Sequence, residues 1–145
     1  MMTAAPNKST KSSVQVAESP RKVLNTEIGT IYIYDHLVIM EGKENVNISI
    51  RNGMPILLKV VKAVGLRSVV YISNRINAYS VDPNDYKYLE MIPNLKGIAV
   101  VAYNDYSVNT AYLEEKFFRK PFKVFTSMED AKKWAGYVID GLIIV

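Results

Sequence analysis

The sequence predicts an α/β domain: N-terminal antiparallel strands leading into βαβα units whose strands run parallel in a mixed sheet. Three observations carry this. Between Arg67 and Val138 the chain alternates three times between a short apolar run and a run with helical spacing. The apolar runs Ser68–Ser73, Gly97–Tyr103 and Phe122–Thr126 read as strands, and each is followed by helical start signals, the rhythm of helical crossovers. Upstream, Thr30–Tyr34 and Leu37–Glu41 flank Asp35-His36, two residues placed as a hairpin tip.

Each element has its own signal. Val23–Ile28 is a first strand, with Gly29-Thr30 to turn the chain. Ile31 and Ile33 share the face expected to meet the core; Tyr32 and Tyr34 share the other and pack under a helix or at the edge. Asn47–Val64 is helical, with Ile50, Met54, Leu57, Leu58 and Val61 as its apolar stripe. Its start is either an Asn52 cap, which puts Pro55 in the first turn, or lies near Asn47, in which case Pro55 bends it; Gly65 stops it. Val69–Ile72 lacks alternation, which fits a strand buried on both faces. Asp82-Pro83 opens a short helix that Pro93-Asn94 closes. After Asn104-Asp105, the residues Tyr106, Thr110, Leu113 and Phe117 lie on one helical face, and Lys120-Pro121 breaks that helix. Ser127-Met128-Glu129-Asp130 resembles a capping box, followed by the buried stripe Met128, Ala131, Trp134, Ala135 and Val138, with Trp134 as core anchor.

Composition sets the class. A chain of 145 residues makes one domain and needs no staples. The expected organisation is a flexible basic leader over 1–22, a single domain over 23–140 and a tail over 141–145 that packs or dangles. The absence of cysteine excludes disulfides and thiolate chemistry and suits a reducing compartment, so the cytoplasm is the expected location. The leader holds Lys8, Lys11, Arg21 and Lys22 against Glu18, three of the chain's four net positive charges. The nearly neutral body argues against nucleic acid, whose recognition needs clustered cations. No run of 18 apolar residues exists to span a membrane.

The strand and helix order resembles the STAS fold of bacterial anti-sigma-factor antagonists, and more closely the stand-alone SpoIIAA-like (STAS/SEC14-like) proteins. The residues that carry the resemblance are Glu27–Tyr32, Val70–Arg75 with Asp85-Tyr86, and the ending Pro121–Trp134, with its phenylalanine before a capping residue, acids, alanine and tryptophan. It covers roughly 24–138. The resemblance implies a small regulatory domain acting by protein–protein contact, without catalysis or cofactor. It also implies a kinase-modified hydroxyl after the central strand, where Ser80 stands next to Asp82-Pro83. The family's Asp-Ser-(Ser/Thr)-Gly segment is absent, so Ser80 is a candidate by position only, and a turn or capping hydroxyl is the plainer reading.

In open sheets, ligands and partners meet the carboxyl ends of parallel strands. Three such ends are polar: Ser73-Asn74-Arg75, Asn104-Asp105-Tyr106 and Thr126-Ser127. The expected partner- or ligand-binding rim is Asn74, Arg75, Asn77, Tyr79 and Asn104, with Arg75 an isolated cation able to clamp a carboxylate or phosphate. Ordinary turn chemistry accounts for the same residue types and weighs more. His36 is the only histidine and is expected exposed, which argues against a triad or a metal cluster. Scattered glycines make no phosphate loop, and Glu114-Glu115 point apart on a helix. Lys116, Arg119, Lys120 and Lys123 flank Phe117, Phe118 and Phe122, a combination that stacks on RNA in some proteins but more often marks a helix C-terminus. Two functions remain ahead of an enzyme completed by a dimer partner: a partner-binding regulatory domain, and a carrier or sensor of a small apolar ligand. A homodimer is compatible with either.

Overall fold

The computed structural model describes residues 19–142; the leader up to residue 18 and the last three tail residues lie outside the described residues. Strands β1 (Lys22–Asn25), β2 (Gly29–Ile33) and β3 (Leu37–Gly42) form an antiparallel meander. β5 (Val69–Arg75), β7 (Leu95–Ala102) and β8 (Phe122–Phe125) then add in parallel, giving the order β1-β2-β3-β5-β7-β8. The parallel portion and the antiparallel entry stand as the sequence predicts.

The first strand ends at Asn25 rather than Ile28. Thr26 takes the chain out: its hydroxyl donates to the Gly29 carbonyl (2.7 Å) and accepts from the amides of Ile28 and Gly29. A Cβ on Gly29, at φ +150°, would lie 2.4 Å from the Glu41 carbonyl oxygen, so the approach of β2 to β3 needs glycine there. A second, two-stranded parallel sheet, β4 (Asn47–Ile48) with β6 (Ser80–Val81), was not legible, since two residues carry no period.

The main sheet has two covered faces. Helix α4 (Met128–Ile139) covers one, packing Ala131, Trp134, Ala135 and Val138 on Leu37, Ile39, Val70, Ile72, Ala99 and Val101, with Tyr32 and Tyr34 at the margin as expected. Ser127 caps it, its hydroxyl accepting from the Asp130 amide. The other face takes Ile31, Ile33, Val38, Met40, Ile98 and Val100 and lies under α1 (Ile50–Val64), α2 (Tyr86–Glu90) and α3 (Asp105–Glu114). Ser49 is the N-cap of α1, so the start near Asn47 holds, the Asn52 cap is corrected, and Pro55 lies inside the helix. Of the expected α1 stripe, Ile50, Met54, Leu57 and Val61 line the side toward the sheet, while Leu58 is corrected, being 61% exposed; Ile56, Val60, Ala63 and Val64 pack on the core. The run from Met54 to Val64 is apolar around most of its circumference, so spacing alone does not choose the buried arc.

On α3 the shared face points outward. Ala111 and Glu114 are its buried residues, and the Tyr106–Phe117 face is turned to solvent.

Candidate functional site

The carboxyl ends of β5 and β7 meet, as predicted, but the rim they form is tied up internally. β5 runs two residues further than the apolar pattern, with Ser73, Asn74 and Arg75 in register against Val100, Val101 and Ala102. Alternation then sends Ser73 and Arg75 to the α1–α3 face and Asn74 to the α4 face. Arg75 is 4% exposed. Its guanidinium forks onto Glu114 with two bonds of 2.7 Å, its Nε donates to the Ser73 hydroxyl (3.0 Å), and it stands 5.4 Å over the Tyr79 ring. The expected open clamp is therefore corrected: the partner is this chain's own Glu114, 39 residues on, one of the two acids expected to point apart. Tyr86 adds a 2.6 Å hydrogen bond to the same carboxylate.

The remaining rim residues are likewise occupied. Asn74 donates to Glu41 and accepts from the Tyr103 hydroxyl at 2.6 Å. Asn77 donates to the Gly42 carbonyl, and Asn104 caps α3 by accepting from the Ser107 amide. Tyr79 bonds the Ser73 hydroxyl and lies flat on Gly42, where a Cβ would come within 2.6 Å of its ring. Ser80 is exposed in β6 and donates to Asn47, two residues before the Asp82 cap, so it does not start a helix. His36 is half-buried rather than exposed, its Nδ1 2.8 Å from the Ser68 carbonyl. Phe118 and Phe122 stack with Tyr86 in the core, and Lys120 is held by the carbonyls of Ile92 and Leu95, which leaves no base-stacking platform from those residues.

Beside this network lies the feature that sequence reasoning missed. Between α1 and the sheet is a half-open cavity of about 180 Å³, lined almost wholly by apolar side chains, among them Ile31, Met40, Met54, Leu57, Val60 and Leu89. Tyr71, Ser73 and Arg75 form its polar end. The Tyr71 hydroxyl points at the Met40 sulfur (3.4 Å), a weak acceptor. At the N-terminus of α1 the Ile50 amide donates to Asp85 Oδ2 (2.7 Å), a carboxylate from the turn before α2 that also lines the cavity. Asp85 thus caps a different helix from the one it introduces.

The Tyr71–Ser73–Arg75 end carries no net charge, while the Asp82 and Asp85 carboxylates line the cavity elsewhere. Burial opposes charge on Arg75, but the hydrogen bonds and charge of Glu114 outweigh it and raise its pKa. Burial raises the phenol pKa values of Tyr71, Tyr79 and Tyr86, the last reinforced by the Glu114 charge. The cation is neutralised and the phenols stay protonated, so the groups at the polar end offer hydrogen bonds and no net charge.

No family model matches the sequence, and no curated protein matches it. Among solved structures, the fold is similar to that of an uncharacterized protein of the DUF3478 family from Shewanella loihica PV-4, described as having a SpoIIAA-like fold. The TM-score is 0.50 at 12% identity, over 86% of this chain and 98% of that one. Sheet order and likeness agree: this is a small α/β domain of SpoIIAA-like, STAS-type fold. No helix among the described residues is long and apolar enough to cross a membrane.

Proposed function

We propose that the protein is a non-enzymatic binding domain that holds a small apolar ligand beneath α1, as carrier or sensor. The observation that carries this is the cavity of about 180 Å³ between α1 and the sheet. Apolar cavities of about 150 Å³ stay dry and take up benzene-sized molecules, so this one suits a single ring or a short length of alkyl chain. The polar end, with its protonated phenols, favours a neutral hydroxyl or carbonyl on such a ligand. Titrating the full chain with the neutral dye N-phenyl-1-naphthylamine, whose phenyl ring fits the cavity while its naphthyl group extends through the open side, tests the reading. Saturable fluorescence enhancement is expected in the parent and loss of it in Gly53→Leu, which fills the cavity from α1, where only Ile48 lies near the glycine. A parent that shows no enhancement, and emerges empty from native mass spectrometry after gentle purification, contradicts it.

A second reading is regulation by a protein partner at the loops after the central strands, as in the anti-sigma antagonists that the fold resembles. The exposed exit Tyr103-Asn104-Asp105 and the exposed Ser80 support it. Recovery of a stoichiometric partner from cytosol at physiological salt, or a phosphate on Ser80 by intact mass, favours this reading. Neither result is expected if the cavity is the working site.

A further inference from the structure

We propose that two copies of this chain pair through α3, antiparallel about a two-fold axis passing beside Ala111 and Tyr112. Amphipathic helices bury their apolar stripe, and α3 does the reverse. Tyr106, Leu113 and Phe117 are 81%, 61% and 44% exposed, whereas a carboxylate, Glu114, faces inward. The 3-10 turn Glu115–Phe117 continues the helix, so the stripe runs unbroken from Tyr106 to Phe117. Exposed apolar patches of this kind mark contact surfaces, and tyrosine and phenylalanine are enriched there.

The pattern selects a second copy as the occupant. The stripe positions Tyr106, Thr110, Leu113 and Phe117 are symmetric about their own midpoint. Reversing one helix against another therefore sets Tyr106 on Phe117 of the second copy and Thr110 on its Leu113, the self-complementarity that a two-fold interface demands. Charge agrees. Asp105 and Lys116 lie along the same edge of the stripe, at opposite ends of it. An antiparallel two-fold brings like edges together with ends exchanged, so each Asp105 meets the other copy's Lys116. Among the described residues, neither takes part in an ion pair within its own chain. A parallel arrangement or a shift of register would lose these matches. One helix face covers less than the roughly 800 Å² per partner of a standard interface, so the dimer is weak and concentration-dependent.

Sedimentation of the full chain from low-micromolar to near-millimolar concentration tests this. The expected result is a rise in weight-average mass from monomer toward dimer. Leu113→Asp weakens association at least about tenfold, the order expected of a charge placed in an interface core. Should Leu113→Asp lose its far-UV circular dichroism, the charge pair decides: Asp105→Lys and Lys116→Glu each weaken the dimer, and the two together restore it, which a loss of fold cannot do. A chain that stays monomeric throughout overturns the proposal. So does a dimer unmoved by any of these changes, or a monomer that uses α3 only to bind a peptide or phospholipid vesicles.

Discussion

The two faces of the central sheet are built from similar strands and covered in opposite ways. Under α4, small residues on the helix (Ala131, Ala135) let it settle on the strands, and Trp134 fills the remaining space against Phe125. Under α1–α3, the first helix is tied at its N-terminus to Asp85 and leaves a cavity against the sheet, and an ion pair takes the place of apolar packing below α3. A close-packed face resists change because each lost methylene leaves a hole. A face that already contains a hole has given up that stabilisation, and the molecule retains room there for another body.

The largest effects should come from removing the parts that define each face. Trp134→Ala should cost about 3–5 kcal/mol by urea denaturation, whereas Leu57→Ala, beside the cavity, should cost no more than the ~2 kcal/mol low end of such truncations. Equal costs would erase the contrast. Glu114→Ala strands the Arg75 charge and should also cost about 3–5 kcal/mol, while Arg75→Met combined with Glu114→Leu should return stability to near the parent value. A double variant as unstable as Glu114→Ala would mean that the pair supports the face in some way other than mutual neutralisation.

A subtler distinction appears at alkaline pH. The buried phenols of Tyr71, Tyr79 and Tyr86 have folded pKa values above their unfolded ones. Their contribution is complete below the ordinary phenol range near about 10 and is lost as pH rises from there toward the folded values. Phenolate absorbance of these three should thus appear only together with loss of far-UV circular dichroism; ionisation in an intact fold would place them in contact with solvent. The smallest stabilising effect expected on the cavity face is at Gly53. Its neighbourhood is open, so Gly53→Ala should add about 0.8–1 kcal/mol by helix propensity alone. A loss instead would show that the helix needs that freedom.

How legible these features were follows from their range. The parallel strands, the α4 stripe and the Ser127 cap are local: apolar runs, 3.6-residue spacing and a hydroxyl before acids are sufficient. Arg75–Glu114 and Ile50–Asp85 join residues 39 and 35 positions apart, and nothing near either residue names its partner. The strand extension through Asn74-Arg75 defeated composition because polar residues there pair with the apolar end of β7. The orientation of α3 was not legible because spacing shows which residues share a face, not which way the face points.

The contrast between the faces is tested most directly by native-state hydrogen exchange, resolved along α1 and α4, with and without N-phenyl-1-naphthylamine. The expected result is exchange of α1 amides through local opening well below the global unfolding free energy, slowed on adding the dye, while α4 exchanges only with global unfolding and ignores it. Equal protection of the two helices, unchanged by the dye, would contradict it.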